Sequence, residues 1–394
     1  MNILDSIGTG IFVTAASQQS QLEDLANKAL TRGMDLCFNG NFEDAIKEFK
    51  RSIGLSPYSE YASDAANYMA KAYLQLNETE KAIGAYKRSI DLNPYREDTR
   101  IELGNLYYFE KRFKEAEAEY SEAVKINPSA NNYYSLGEAY IKTGKYDRAE
   151  SLFKKVRNMA PGNPNGNYGL GLVYAKLERP DKAVNEFKEA IRLDDDLYYA
   201  YAEMGYAYVD MGDMEKAGEM CDFLYRNDPS LAITLSEYIY QVDPPKFKTG
   251  YSGNFFYKKP MRTPVASLDP YLENANASKS FIMKLVFDKE MDRESVENRF
   301  NWKISRAAGG DPGEAYNFGL PIPSTEAKIS TYPDYVYYDA DSFTATVKFT
   351  IVQNASVDAT IDPSHIEFQF TGVDTFGLKM NPSADQYSGF SGVA

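Results

Sequence analysis

Residues 101–128 read IELGNLYYFEKRFKEAEAEYSEAVKINP, and near-copies of that stretch lie on both sides of it. It reads as two short antiparallel helices closed by a proline. Pro57, Pro94, Pro128 and Pro161 end successive second helices in steps of 37, 34 and 33 residues, and Pro229 follows after a double step of 68. Asp195 stands where the missing proline would fall. Proline stops a helix because it lacks an N–H and restricts the residue before it. The positions define six units, each one helix–turn–helix, at the roughly 34-residue period of a stacked helical repeat.

The other recurring residues have mechanical reasons. Small side chains at Gly33, Ala70, Gly104, Gly137, Gly171 and Gly205 mark where the two helices of a unit cross closely. Tyr73, Tyr107, Tyr140, Tyr174 and Tyr208 follow three residues later, and are expected to fill the space the small residue opens. The second helices carry Ala45, Ala82, Ala116, Ala149, Ala183 and Ala217, each followed four residues on by Phe49, Tyr86, Tyr120, Phe153, Phe187 and Cys221. That small–large pair makes one packing stripe.

In these residues the chain resembles the tetratricopeptide-repeat family, from about Ala26 to Pro229. It departs from the family at the usual early tryptophan, replaced by Ala29, Ala66, Arg100, Tyr133, Asn167 and Tyr201. Three extra residues around Tyr58–Ala62 lengthen the first junction. The resemblance implies a right-handed α-solenoid whose first helices line a groove for an extended peptide. Transferred by register, that face carries Asn67 and Lys71, then Asn105 and Tyr108, then Tyr134 and Glu138, then Tyr168 and Leu172, and finally Tyr206. Asparagine amides can hydrogen-bond any peptide backbone, and tyrosines give broad contact at low entropic cost. The family's carboxylate clamp needs Lys and Arg where this chain has Ile101 and Ser135, so chaperone-tail binding of that kind is not expected.

Composition bounds the partners. The 394 residues carry a net charge of −14, which argues against nucleic acid, since binding it needs clustered cations. The runs Lys154–Arg157 and Lys258–Arg262 read as solvated faces. Two cysteines, Cys37 and Cys221, lie in the first and last units and make no disulfide framework. Cys221 takes an aromatic's place and reads as a small buried hydrophobe. No stretch reaches the length of a membrane span. Ile3, Leu4, Ile7 and Ile11 share one helical face, and no Lys or Arg precedes Lys28. Residues 1–20 are therefore expected to be an amphipathic lead-in helix rather than a secretory leader.

Residues 21–242 are expected to form the solenoid with a capping helix, in which Leu231, Leu235 and Tyr238 face inward. Residues 243–277, rich in Pro, Gly, Tyr and Phe, read as an irregular linker. From Phe281 the text alternates: Phe281, Met283, Leu285 and Phe287 share one face of a strand. Further strands are expected at 301–305, 335–338, 344–351 and 366–370. Residues 278–394 thus read as a small antiparallel β-sandwich. Met291, Asp292, Ser295 and Val296, with Asp374, Gly377 and Met380, make this part resemble the bacterial Ig-like domain of surface-layer proteins. The likeness implies an anchoring or spacer module and an exported or cell-surface setting; the missing leader leaves the cytoplasm open.

Few residues suit catalysis. The single histidine, His365, precedes a strand and reads as a turn residue, and an active site among Asp339, Asp341 and His365 finds little support. Asp288, Glu290, Asp292 and Glu294 alternate in a way that could seat calcium, but Asp292 suits a helix cap and no EF-hand glycine follows. No cofactor is expected. The expectation is a multidomain α plus β, non-enzymatic scaffold that binds a protein or peptide. A structural or assembly component of a bacterial cell-surface or secretion apparatus, with possible self-association, is the alternative.

Overall fold

The computed structural model describes residues 3–256, 258–306 and 323–389, with side chains from residue 17 onward. The chain divides into two compact units, Met1–Ser236 and Glu237–Ala394.

The first unit is helical. Its helices are α1 (Ile3–Phe38), α2 (Phe42–Leu55), α3 (Glu60–Gln75), α4 (Thr79–Leu92), α5 (Glu97–Phe109), α6 (Phe113–Ile126) and α7 (Ala130–Lys142). They continue as α8 (Tyr146–Met159), α9 (Asn165–Lys176), α10 (Pro180–Leu193), α11 (Tyr198–Asp210) and α12 (Met214–Asn227); α13 (Pro229–Val242) begins in this unit and runs past its boundary at Ser236. Each odd–even pair up to α12 is one repeat. Helix α1 runs 36 residues without a break, so the expected lead-in continues into the first repeat. Its face of Ile3, Leu4, Ile7 and Ile11 lies outside the described side chains.

Within a repeat, the glycine of the first helix meets an aromatic ring of the second. A Cβ placed on Gly33, Gly104, Gly137 or Gly171 would lie 2.5, 2.5, 2.7 or 2.4 Å from Phe49, Tyr120, Phe153 or Phe187. The space is therefore filled by the ring sixteen residues on, not by the tyrosine three residues on as the spacing suggested. Those tyrosines lie instead under cations that begin the second helix. Lys81 sits over Tyr73, Arg112 over Tyr107, Lys145 over Tyr140, Lys182 over Tyr174 and Lys216 over Tyr208, at 4.6–5.7 Å. A cation over a phenol ring is favourable and lets the ring cap the helix pair.

The sixth repeat departs from this rule because Cys221 replaces the aromatic. Leu235 of α13 fills the place, 2.5 Å from a Cβ on Gly205. The capping helix thus closes the last repeat, with Leu235 fully buried and Leu231 and Tyr238 half-buried. Cys221 is buried, and its thiol donates to the Ala232 carbonyl oxygen.

The turn inside each repeat also recurs. Gly40, Asn77, Lys111, Gly144, Glu178 and Gly212 all take positive φ, between 55° and 77°. The next residue's N–H then reaches back to a carbonyl of the first helix, as Glu78 does to Tyr73 at 2.9 Å and Arg112 to Tyr107 at 2.8 Å. This left-handed helix ending satisfies carbonyls that would otherwise be orphaned.

The second unit is an antiparallel β region around one core. Its strands are β1 (Phe247–Ser252), β2 (Thr263–Pro264), β3 (Ser278–Phe287), β4 (Trp302–Arg306), β5 (Lys328–Ile329) and β6 (Tyr335–Asp339). They are followed by β7 (Thr344–Val352), β8 (Thr360–Ile361), β9 (Ile366–Phe370) and β10 (Gln386–Tyr387), with a short helix α14 (Arg293–Glu297) after β3. The main sheet runs β1-β3-β7-β5 with β6 also on β7; β10-β9-β4 and β2-β8 form smaller sheets. Phe281, Met283, Leu285 and Phe287 all point into the core, as their alternation requires. The architecture is thus antiparallel β, with sheets of five, three and two strands where a small Ig-like sandwich was expected.

Segment 243–277 also holds more order than an irregular linker. β1 pairs with β3 from Phe247 opposite Phe287 to Ser252 opposite Met283. Its alternation is obscured by a bulge between Phe247 and Thr249 and by Gly250, where a Cβ would strike Tyr387 at 2.5 Å. The sequence after β4 holds a long Gly- and Pro-containing stretch, which through residue 322 lies outside the described residues.

Candidate functional site: the face of the first helices

The residues expected on the inner face divide into two groups. Asn67 is 3% exposed, and its amide donates to Thr99 Oγ1 at 2.7 Å; it joins two repeats from within. Asn105 accepts a 2.7 Å hydrogen bond from the Tyr120 hydroxyl, so its carbonyl is engaged while the residue stays exposed. Lys71 pairs with Glu102 at 2.7 Å and lies over the Tyr68 ring. Tyr206 is half-buried on α11.

Tyr108, Glu138, Tyr168 and Leu172, by contrast, line one pocket of about 290 Å³. They come from α5, α7 and α9, and Glu203 of α11 completes the wall. First helices of four consecutive repeats therefore build this one recess. Tyr134 does not line the pocket; it lies one turn before Glu138 on α7, and each of the two acts on the other's titration. Lys142 and Lys176, the last residues of α7 and α9, also reach the pocket and are exposed.

Each tyrosine ring leans on its own repeat. Tyr108 meets Phe113 edge-on at 5.3 Å, Tyr134 meets Phe153 edge-on at 5.6 Å, and Tyr168 lies tilted against Phe187 at 5.9 Å. Among the described residues none of these three rings stacks on another. Burial, with Glu138 nearby, pushes the Tyr108 phenol up to about 12. The Tyr134 and Tyr168 phenols are also raised, chiefly by burial and then by neighbouring Glu138 and Glu203 respectively. All three hydroxyls stay protonated at neutral pH and can donate.

Lys142, Lys176 and Glu203 were missing from the expected face. The two lysines share a register, five residues after Gly137 and Gly171, so repeat alignment carried the signal. Glu203 lies two residues before Gly205, the register of Glu102.

The second unit offers a smaller cavity of about 150 Å³, lined in part by Arg306, Glu326, Asp362 and His365. Arg306 bridges Glu326 at 2.7 Å and Asp362 at 2.9 Å. His365 ends a short turn, Pro363–His365, and burial lowers its pKa. Asp339 and Asp341 do not line this cavity. Asp339 instead accepts from Asp341 N–H and from the Ser342 hydroxyl in a local turn.

At the alternating acidic stretch, Asp292 caps α14 by accepting from Ser295 N–H at 2.7 Å. Asp288 accepts from Lys246 N–H at 3.0 Å. Among the described residues no group of three or more His, Cys, Asp or Glu is arranged to hold a metal. Among them too, no helix is long and apolar enough to cross a membrane.

Models described as tetratricopeptide repeat match residues 30–97 and 101–164, 140–202, and 198–222. A tetratricopeptide repeat protein from Parabacteroides merdae is 16% identical, with 55% of this chain and 86% of that one covered and a TM-score of 0.50. The Pseudomonas aeruginosa protein pilF is 16% identical over 55% of this chain and 98% of its own, at a TM-score of 0.43. YrrB, described as a TPR protein with an unusual peptide-binding site, is 20% identical over 48% and 97%, at a TM-score of 0.38. No curated protein matches in sequence. With the repeat register, the glycine–ring packing and the recurring turns, the family-model matches make the chain within residues 30–222 an array of tetratricopeptide repeats.

Proposed function

We propose that this protein is a non-enzymatic scaffold whose helical repeats hold an extended segment of another polypeptide along their first helices. The observation that carries this reading is the recess built by α5, α7, α9 and α11 together. A site shared by four consecutive repeats suits an elongated ligand, because each repeat contributes one position along it. Its walls mix tyrosine rings, one leucine and a few charged groups, the makeup of surfaces that grip peptides.

The second unit is read as an Ig-like module that anchors the array or offers a second contact surface. In support, the two halves of its motif lie side by side: Met291 and Asp374 form an antiparallel bridge, and Ser295 Oγ accepts from Val373 N–H at 2.9 Å.

Capture from a random octapeptide library on beads tests the scaffold reading with the full-length chain. Peptides should be retained, and the double variant Tyr108→Ala/Tyr168→Ala should lower retention about tenfold, the loss expected when two aromatic anchors go. Equal retention by that variant, or none by the unaltered protein, contradicts the groove.

A further inference from the structure

Glu138 and Glu203 are costly residues to place in the recess. Both are half-buried on first helices, and burial is the main cause that raises each carboxyl above its ordinary range. A carboxylate withdrawn from water needs donors or a cation to offset the loss. The Tyr134 phenol, one turn back on α7, favours the charged form of Glu138 but does not outweigh its burial. Lys142 acts on both carboxylates and Lys176 on Glu203, each from a distance; among the described residues neither glutamate forms a salt bridge.

The charges are layered. The lysines are exposed at helix ends, whereas the glutamates lie further in, beside Tyr108 and Tyr168. Phenol faces attract cations, and Leu172 offers an apolar surface for an aliphatic stem. The cavity, at about 290 Å³, sits at the lower end of ligand-site volumes, so it has room for one long side chain of a larger partner.

We infer that this recess takes the cationic end of a lysine or arginine side chain, presented by an extended peptide and seated against Glu138 and Glu203 among the tyrosines. The inference rests on the peptide groove proposed above and adds which residue type the partner must present.

Sequencing the octapeptides captured by the full-length chain tests it. Lysine or arginine should be enriched about tenfold at one position over its library frequency, as a cation gaining ring and carboxylate contacts would be. In Glu138→Gln/Glu203→Gln, which keeps side-chain volume and removes both buried charges, that enrichment should vanish while peptides are still captured. Captured peptides without cationic enrichment, or enrichment that survives in the double variant, would overturn the cation pocket and leave the groove standing. No capture at all would overturn both. Concentration-dependent dimerisation in sedimentation, abolished by the same variant, would give the pocket to a second copy of this chain and overturn the peptide assignment.

Discussion

Gly104 lies against the Tyr120 ring: a Cβ added there would stand 2.5 Å from Tyr120 Cε1. The same ring donates its hydroxyl to Asn105 at 2.7 Å, so one residue fixes both the helix crossing and a side chain of the inner face. Alanine normally improves a helix over glycine by about 1 kcal/mol. At Gly104 the overlap reverses that sign, and Gly104→Ala should destabilise by about 1–3 kcal/mol. Gly84, in α4, has nothing within 4 Å of a built Cβ, so Gly84→Ala should stabilise by about 1 kcal/mol. Urea unfolding followed by helical circular dichroism checks both.

The repeat turns give a second pair. Glu178 takes φ +55° with a full side chain, and Gly144 takes φ +76° without one. Left-handed backbone costs a non-glycine residue about 1–2 kcal/mol. Glu178→Gly should therefore raise stability by up to about 1 kcal/mol, and Gly144→Ala should lower it by about 1–2 kcal/mol. Thermal melts of the two variants should shift in opposite directions.

The β unit contains a buried ion pair. Lys289 Nζ lies 2.7 Å from Asp374 Oδ2, with the two side chains 4% and 0% exposed. The ammonium also donates to the carbonyls of Tyr240 and Asp243 at 2.7 and 2.8 Å, and Asp374 Oδ1 accepts from Phe376 and Leu378 N–H. Removing one partner strands the other charge, so Lys289→Met should cost this unit about 3–5 kcal/mol. The only tryptophan, Trp302, is buried in the same unit, and its fluorescence reports that transition apart from the helices.

Glu138 and Glu203 make the array sensitive to pH. Their folded carboxyl groups hold protons more tightly than the ordinary glutamate value of 4.5. A raised folded pKa gives stability that is complete below the unfolded value and is lost as pH rises through the folded one. Tyr108, Tyr134, Lys142, Tyr168 and Lys176 surround the pair, and the three phenols, raised by burial, stay protonated across that window. Glu138→Gln/Glu203→Gln should therefore melt higher than the unaltered chain at neutral pH, with the difference closing below pH 4.5. A difference that is constant with pH would contradict the burial of these carboxylates.

Much of the array was legible because its signals are local. Pro57 to Pro229 mark helix ends through their own chemistry, and Ala45 with Phe49, or Ala149 with Phe153, share a helical face by spacing alone. The partner of each glycine was not legible, because Phe49, Tyr120, Phe153 and Phe187 reach it only through the crossing of two helices. Lys111 and Glu178 gave no hint of left-handed backbone, since residue type there follows neither glycine nor asparagine. On the inner face, register placed Tyr108, Glu138, Tyr168 and Leu172 in one recess, but the burial of Asn67 depends on Thr99, 32 residues away. In the β unit, alternation revealed β3 and β7; β1 was hidden by its bulge and by Gly250.

The proposed function requires a peptide lying along the first helices. Photo-crosslinking tests this most directly, with p-benzoylphenylalanine introduced into the full-length chain at Leu172 or at Glu189, an exposed residue of α10 in the same repeat. Incubated with the captured octapeptides, the Leu172 variant should form covalent adducts and the Glu189 variant should not. Adducts at Glu189 equal to or exceeding those at Leu172 would place the ligand elsewhere and contradict the account.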